Sequence, residues 1–384
     1  MGAGEVKDGK MLTVAVNICR ILLAACFIFS GFVKAVDPVG TQIKLQDYLL
    51  AFGWENLFSS DLLLSAGILA GVEFFLGIYL LLGVFRYGTS LILMVVMLFF
   101  TPFTLYLAIK NPVSDCGCFG DALILTNWQT FAKNVVLLLL AVFVFIFKTR
   151  IVPFVSERRA WVVPVITATL IINFMLSNIR DLPIFDFRPY RVGTDLRSEI
   201  LEGKDGRFDE FYLMDSEYND ATEKVLSADG YSFLIVSPHL EEASQNNIDL
   251  INDLYYYCRD AGYPIYGITA SGNETVKAWS ENTYAQYEFL FADEIVLKTM
   301  IRRNPGVLVL KDGAIVAKWS DRNIPLDSQV SARMEQLKPA RPEWSSAGTK
   351  KLVVALLFIL PYLLLILIDR IGCSLQNDGL VKRE

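Results

Sequence analysis

Cys116 and Cys118 stand one residue apart in the run Cys116-Gly117-Cys118-Phe119-Gly120-Asp121, with Asp115 directly before them. Two thiols at this spacing can interconvert between a dithiol and a disulfide, which is electron-exchange chemistry. A CxC disulfide closes a very small ring, so it is expected to be strained and more readily reduced than a structural bridge. Asp115 and Asp121 should raise the thiol pKa values unless a cation such as Lys110 or Lys133 approaches. Two bland alternatives stay open: a disulfide that only shapes its loop, and metal binding. Zinc would need two further ligands nearby, and the sole histidine, His239, lies far along the chain, so no metal is expected. Of the other cysteines, Cys26 is a candidate resolving thiol or a small buried apolar residue, Cys258 reads as packing, and Cys19 and Cys373 are given no role. Six cysteines in all are too few for a disulfide-stapled scaffold.

The elements that must position this pair lie in a membrane. The chain is 53% hydrophobic with mean hydropathy +0.41, too apolar for 384 soluble residues. Stretches at 11–33, 62–83, 88–109, 129–147, 160–178 and 351–368 are each long and apolar enough for a crossing, which takes about 20 helical residues. The CxC pair falls in the short polar loop between the third and fourth. Residues 180–347 hold 28 Asp and Glu against 18 Lys and Arg, an acidic and soluble part set within a slightly basic membrane part. No basic patch suited to nucleic acid appears.

Lys and Arg in the short connections set the expected topology. Lys7, Lys10, Arg86, Lys148, Arg150, Arg158, Arg159, Arg370, Lys382 and Arg383 put both termini in the cytoplasm. The connections at 34–61 and 110–128, and residues 181–347, then face outward, in a bacterial inner membrane toward the periplasm. The expected organisation is 1–150 as a four-helix bundle with the CxC loop, 151–180 with a fifth span, 181–347 as an outward domain, and 348–384 with a sixth span and cytoplasmic tail. Arg20 and Glu73 both count to a depth of roughly 13–15 Å from the inner surface. They are therefore expected to pair across antiparallel helices, fixing packing or lining a proton route. Cys26 counts to about 10 Å below the outer surface. Pro102 is expected to kink the third span.

The order Arg20, Ser30-Gly31-Phe32-x-Lys34-x-x-Asp37-Pro38-x-Gly40, Gly71-Val72-Glu73-Phe74-Phe75-Leu76-Gly77, the CGCFGD run and Lys133-Asn134 resembles the DoxX and MauE families of bacterial four-helix membrane proteins over residues 11–148. The resemblance implies assistance to disulfide formation or maturation of exported proteins, whose thiols would be the partners. It also implies a bundle like that of quinone-linked disulfide-generating enzymes. A quinone is an expectation of the resemblance alone, and the residues themselves show no cofactor site.

Residues 195–335 alternate strand-like runs at 231–236, 263–269, 287–291, 306–310 and 314–319 with helical stretches near 241–260, 273–283 and 293–303. Lys311-Asp312-Gly313 reads as a tight turn joining the last two strands. The arrangement resembles the thioredoxin fold, with Pro305 at the position of that family's cis-proline. Thioredoxins carry CxxC directly after the first central strand, where this chain reads Ser237-Pro238-His239-Leu240-Glu241. The resemblance therefore implies a domain without dithiol chemistry that keeps a peptide-binding groove beside Pro305 and His239. The expected fold class is a multi-pass α-helical membrane protein with an α/β thioredoxin-like domain. Its expected activity is thiol–disulfide exchange with a partner that this domain recruits; the alternative is a non-enzymatic membrane scaffold.

Overall fold

The computed structural model describes residues 3–54, 61–113, 115–203, 206–325 and 344–381. The expected end of the thioredoxin-like stretch, at 335, and the tail charges Lys382 and Arg383 lie outside the described residues. Six of the described helices are long and apolar enough to cross a membrane: α1 (Ala3–Val36), α3 (Leu62–Leu82), α4 (Arg86–Lys110), α5 (Asn127–Ile146), α6 (Val162–Arg180) and α11 (Trp344–Val381). The chain divides into two compact units, residues 1–179 with 350–384 and residues 180–349.

In the first unit, α1 and α3 approach each other through glycine. A Cβ on Gly31 would lie 2.5 Å from the Phe74 backbone N, and one on Gly77 2.7 Å from Ile28 N. Small residues let helix backbones meet closely where no hydrophobic driving force separates protein from lipid. These contacts also fix an antiparallel register, with Gly31 level with Phe74 and Gly83 level with Arg20. The core between α1, α3, α4 and α5 is Leu23, Ala24, Phe27, Leu80, Leu93, Met97, Ala141 and Val144. Pro102 lies within α4, which continues through it. Around it the hydroxyls of Thr101 and Thr104 bond the carbonyls of Met97 and Phe100 at 2.7 and 2.9 Å.

Helices α6 and α11 pack on this bundle. Phe358 meets Phe32, Phe74 and Phe174 edge-on, Asn178 donates to the Ala35 carbonyl at 3.2 Å, and Tyr362 shares a 2.8 Å hydrogen bond with Thr167. At the end away from the CxC loop, Asp369 of α11 takes Ser156 and Arg159.

One helix was not legible as such: α2 (Pro38–Phe52) occupies the connection between the first two spans. Asp37 caps it by accepting the Gly40 N–H at 2.8 Å, and Pro38 supplies a first turn that needs no donor.

The second unit is a five-stranded sheet of order β3-β2-β1-β4-β5, built from β1 (Tyr231–Ser237), β2 (Ile265–Thr269), β3 (Glu288–Phe291), β4 (Gly306–Lys311) and β5 (Ala314–Ser320). β1, β2 and β3 run parallel and β4 and β5 antiparallel to their neighbours. Helices α8 (Ile248–Ala261), α9 (Asn273–Thr283) and α10 (Glu294–Met300) connect the strands in the expected order, after a short α7 (Thr222–Leu226). Phe233 and Ile235 of β1 face a core with Ile251, Leu254 and Trp279. Leu234 and Val236 face the opposite core with Leu297, Met300 and Leu196. A strand covered on both sides must be apolar throughout, which is why residues 231–236 read as one continuous run. Asp312 (φ 51°) and Gly313 (φ 81°) are both left-handed, the conformation that a two-residue hairpin between β4 and β5 requires. The Asn304–Pro305 bond is cis. The order β2-β1-β4-β5 is the thioredoxin arrangement, extended here by β3 on the outer edge of β2.

The segment leading into this unit is clamped to it by buried charge. Asp186 accepts from Arg188 Nε at 2.8 Å and from Lys318 Nζ at 2.8 Å, while Lys318 also bonds the Met300 carbonyl at 2.6 Å.

Candidate functional site

The two sulfurs of Cys116 and Cys118 face each other at 2.7 Å. Their loop turns on two left-handed glycines, Gly117 (φ 64°) and Gly120 (φ 50°), positions where a side chain would strain the backbone. Asp115 closes the turn by accepting the Gly117 N–H at 2.8 Å and is itself held by Lys44 of α2 at 2.9 Å. Asn127, at the start of α5, donates to Asn111 and to the Val113 carbonyl at 2.8 and 2.9 Å, fixing the entry to the loop.

The bundle grips both cysteines by their main chain. Lys34 Nζ, on a side chain 5% exposed, donates to the Cys118 carbonyl at 2.7 Å, to Glu73 Oε2 at 2.7 Å and to Ser30 Oγ at 2.8 Å. Ser30 in turn donates to the same Cys118 carbonyl at 2.6 Å. An ammonium has three N–H donors, and all three are used. The Cys116 carbonyl is held from α2, by the Tyr48 hydroxyl at 2.9 Å. Phe119 is buried against Phe29 at 5.2 Å, and Lys133 Nζ lies 4.1 Å above its ring. Asn134 ties α5 to Thr104 of α4 at 3.2 Å, with Lys133 its immediate neighbour in the chain.

The thiols are inequivalent. The Cys116 pKa is pushed up by its hydrogen bond to Cys118 and by burial. Cys118 is held below the ordinary thiol range by that same hydrogen bond, with Lys133 and Lys34 adding to it against the cost of burial. The cation that the sequence left conditional is thus Lys133, joined by Lys34. Burial and the neighbouring sulfurs push the Tyr48 phenol upward, so it stays a donor. Cys26 lies one turn of α1 below Ser30, beside the bundle core, with Lys133, Glu73, Cys118 and Lys34 in its electrostatic surroundings.

The expected pairing of Arg20 with Glu73 is corrected. Glu73 pairs with Lys34. Arg20 lies level with Gly83, ten residues along α3 from Glu73, or about 15 Å at 1.5 Å per residue. It is 1% exposed, stacks on Phe154 at 5.1 Å, and its Nε and Nη1 have no hydrogen-bond partner among the described residues. The count failed because α1 begins at Ala3, well before the expected start of its span. Lys34, Tyr48 and Lys44 were not foreseen at the site; the Asp37-Pro38 helix start was the available signal for the last two.

In the second unit, His239 Nε2 meets Glu294 at 3.0 Å, and its carbonyl accepts from Asn304 at 2.7 Å. Ser237 donates to the Asn304 side chain at 2.5 Å, and the Ser244 N–H takes the Asn304 carbonyl at 2.9 Å. The Asn304 carbonyl, directly before cis Pro305, thus accepts from the chain's own 240–247 segment. That segment was expected to be helical, whereas α8 begins only at Ile248. Cys258, buried in α8, is the unit's single cysteine.

Residues 12–147 match the family model described as methylamine utilisation protein MauE. The match covers the helices and the loop that carry Lys34, Glu73, Cys116, Cys118 and Lys133, and supports the MauE half of the expected resemblance. Among solved structures, the chain is similar to a protein described as a disulfide isomerase from Bacteroides thetaiotaomicron, at 15% identity and TM-score 0.25 over 33% of this chain and 82% of that one. It is also similar to the peroxidoxin BcpB of Mycobacterium tuberculosis, at 16% identity and TM-score 0.25 over 34% and 93%. A third likeness is to a bacterioferritin comigratory protein of Xanthomonas campestris, at 15% identity and TM-score 0.24 over 34% and 90%. The thioredoxin-like character of the unit lies in its strand order and direction. No curated protein matches the chain.

Proposed function

We propose that the MauE-like region is a membrane thiol–disulfide oxidoreductase whose Cys116 and Cys118 exchange disulfides with exported or membrane proteins, with the thioredoxin-like unit recruiting those partners. In this reading the membrane is a bacterial inner membrane, the termini are cytoplasmic, and both the CxC loop and the thioredoxin-like unit face the periplasm. The observation that carries it is the pair of sulfurs 2.7 Å apart in a loop whose two cysteine carbonyls are anchored to α1 and α2. The two thiols thus already face each other, as closing a disulfide between them requires. Continuous turnover needs an electron acceptor or donor, and the quinone that the resemblance implies is one candidate for it; the exchange step itself needs none.

The same anchoring favours a second reading, in which a permanent CGC disulfide shapes the loop of a membrane scaffold. Mass-tag thiol trapping in intact cells separates the two. Exchange predicts that the pair shifts between oxidised and reduced on a reductant pulse and that a Cys→Ser variant accumulates a mixed disulfide. A pair that stays in one state through the pulse, with no adduct in either variant, sinks the exchange reading.

A further inference from the structure

The surroundings of the two sulfurs differ by element. Cys118 is drawn toward the bundle: its carbonyl is fixed by Ser30 and Lys34 of α1, the next residue, Phe119, is buried, and Lys133 of α5 stands 4.1 Å over that ring. Cys116 faces α2, where the Tyr48 hydroxyl takes its carbonyl and Lys44 is paired with Asp115. The charged and titratable groups that act on Cys118 are Lys34 of α1, Glu73 of α3, Lys133 of α5 and Cys116 itself; Cys26 of α1 and Tyr48 of α2 also sense its charge. Lys133 thus acts on both sulfurs, Lys34 is added at Cys118, and the neutral Tyr48 hydroxyl meets Cys116.

Resting on the exchange reading, we infer that the pair oxidises its partners, with Cys116 Sγ the atom that a partner sulfur bonds and Cys118 Sγ the one that leaves. A partner thiolate attacks Cys116 Sγ of the Cys116–Cys118 disulfide. A partner–Cys116 bond forms, the Cys116–Cys118 bond breaks, and its electron pair stays on Cys118 as a thiolate beside Lys133 and Lys34. A second partner thiolate then attacks the partner sulfur and expels Cys116, which takes up a proton. The partner dithiol becomes a disulfide and the CxC disulfide becomes one thiol and one thiolate. A leaving sulfur whose thiolate is stabilised leaves faster, and stabilising the reduced pair makes its disulfide the better oxidant. Lys133 is a positioning residue in this scheme, acting through the charge it presents to Cys118.

Two measurements test the assignment. In cells, Cys118→Ser should accumulate a mixed disulfide on Cys116, and Cys116→Ser should accumulate none; the adduct appearing on Cys118 in Cys116→Ser overturns the assignment while leaving exchange itself intact. In the purified full-length chain, reduced and alkylated across pH with each site read by mass spectrometry, Cys118 should titrate below the free-thiol value of about 8.5 and Cys116 above it. Lys133→Gln should move the Cys118 midpoint upward, and Lys133→Arg should restore it. A Cys118 midpoint at or above that of Cys116, or one indifferent to Lys133→Gln, overturns the inference whatever adducts the cells yield. A wild-type pair that never changes redox state removes the exchange reading instead.

Discussion

At the scale of single residues, the site turns on Lys34. Its ammonium holds the Cys118 carbonyl and neutralises Glu73 in surroundings where either charge alone would be costly. Lys34→Met should strand the Glu73 carboxylate and lower stability by about 3–5 kcal/mol, read as a drop in thermal unfolding temperature in detergent. Adding Glu73→Gln should recover most of that loss, since no buried carboxylate is then left unpaired; a double variant no more stable than the single would argue against the pair. The sequence displayed Ser30, Lys34, Glu73, both cysteines and Lys133 as a spaced set, yet gave no way to see that Lys34 rather than Arg20 meets Glu73. Charge type suggests a pairing, but only helix register selects the partner.

At the scale of elements, that register is written in glycine. A methyl at Gly31 would meet the Phe74 N and the Ala70 O, backbone atoms that cannot swing aside, whereas one at Gly71 on α3 would meet nothing within 4 Å. Gly31→Ala should cost about 1–3 kcal/mol and weaken the hold on Cys118 by pushing α1 from α3. Gly71→Ala should be neutral or stabilising by up to about 1 kcal/mol, the helix-propensity gain, and thermal unfolding of the two single variants compares them directly. The six spans were legible because about 20 apolar residues in a row have few other uses. Helix α2 was not, since its apolar positions are few and its start depends on a cap and a proline instead of a periodic face. The strands of the second unit read well because both sheet faces are covered. The start of α8 did not, because the 240–247 segment is spent on the Asn304 corner.

At the scale of the whole molecule, the thioredoxin-like unit secures its own entry segment. Burial holds Lys318 down to about 8, against the pull of Asp186. With the folded value below the ordinary lysine value, the unfolded chain binds more protons in between, so this lysine adds stability as pH rises from about 8 toward about 10 and withdraws it as pH falls back. Lys318→Met should therefore flatten that part of the pH–stability curve, followed in the full chain by the fluorescence of Trp279 and Trp319. Asp186→Ala should be harsher, about 3–5 kcal/mol, since it leaves Lys318 and Arg188 buried without their carboxylate. At the CxC loop, form and reactivity are divided between main chain and side chain. What α1 and α2 hold there is chiefly main-chain oxygen, the carbonyls of Cys118 and Cys116, which serine in place of either cysteine would leave in position. Under the exchange reading, a chain with both replaced by serine would keep the loop's carbonyl anchors and lose the redox couple: a decoy that occupies partners without turning them over.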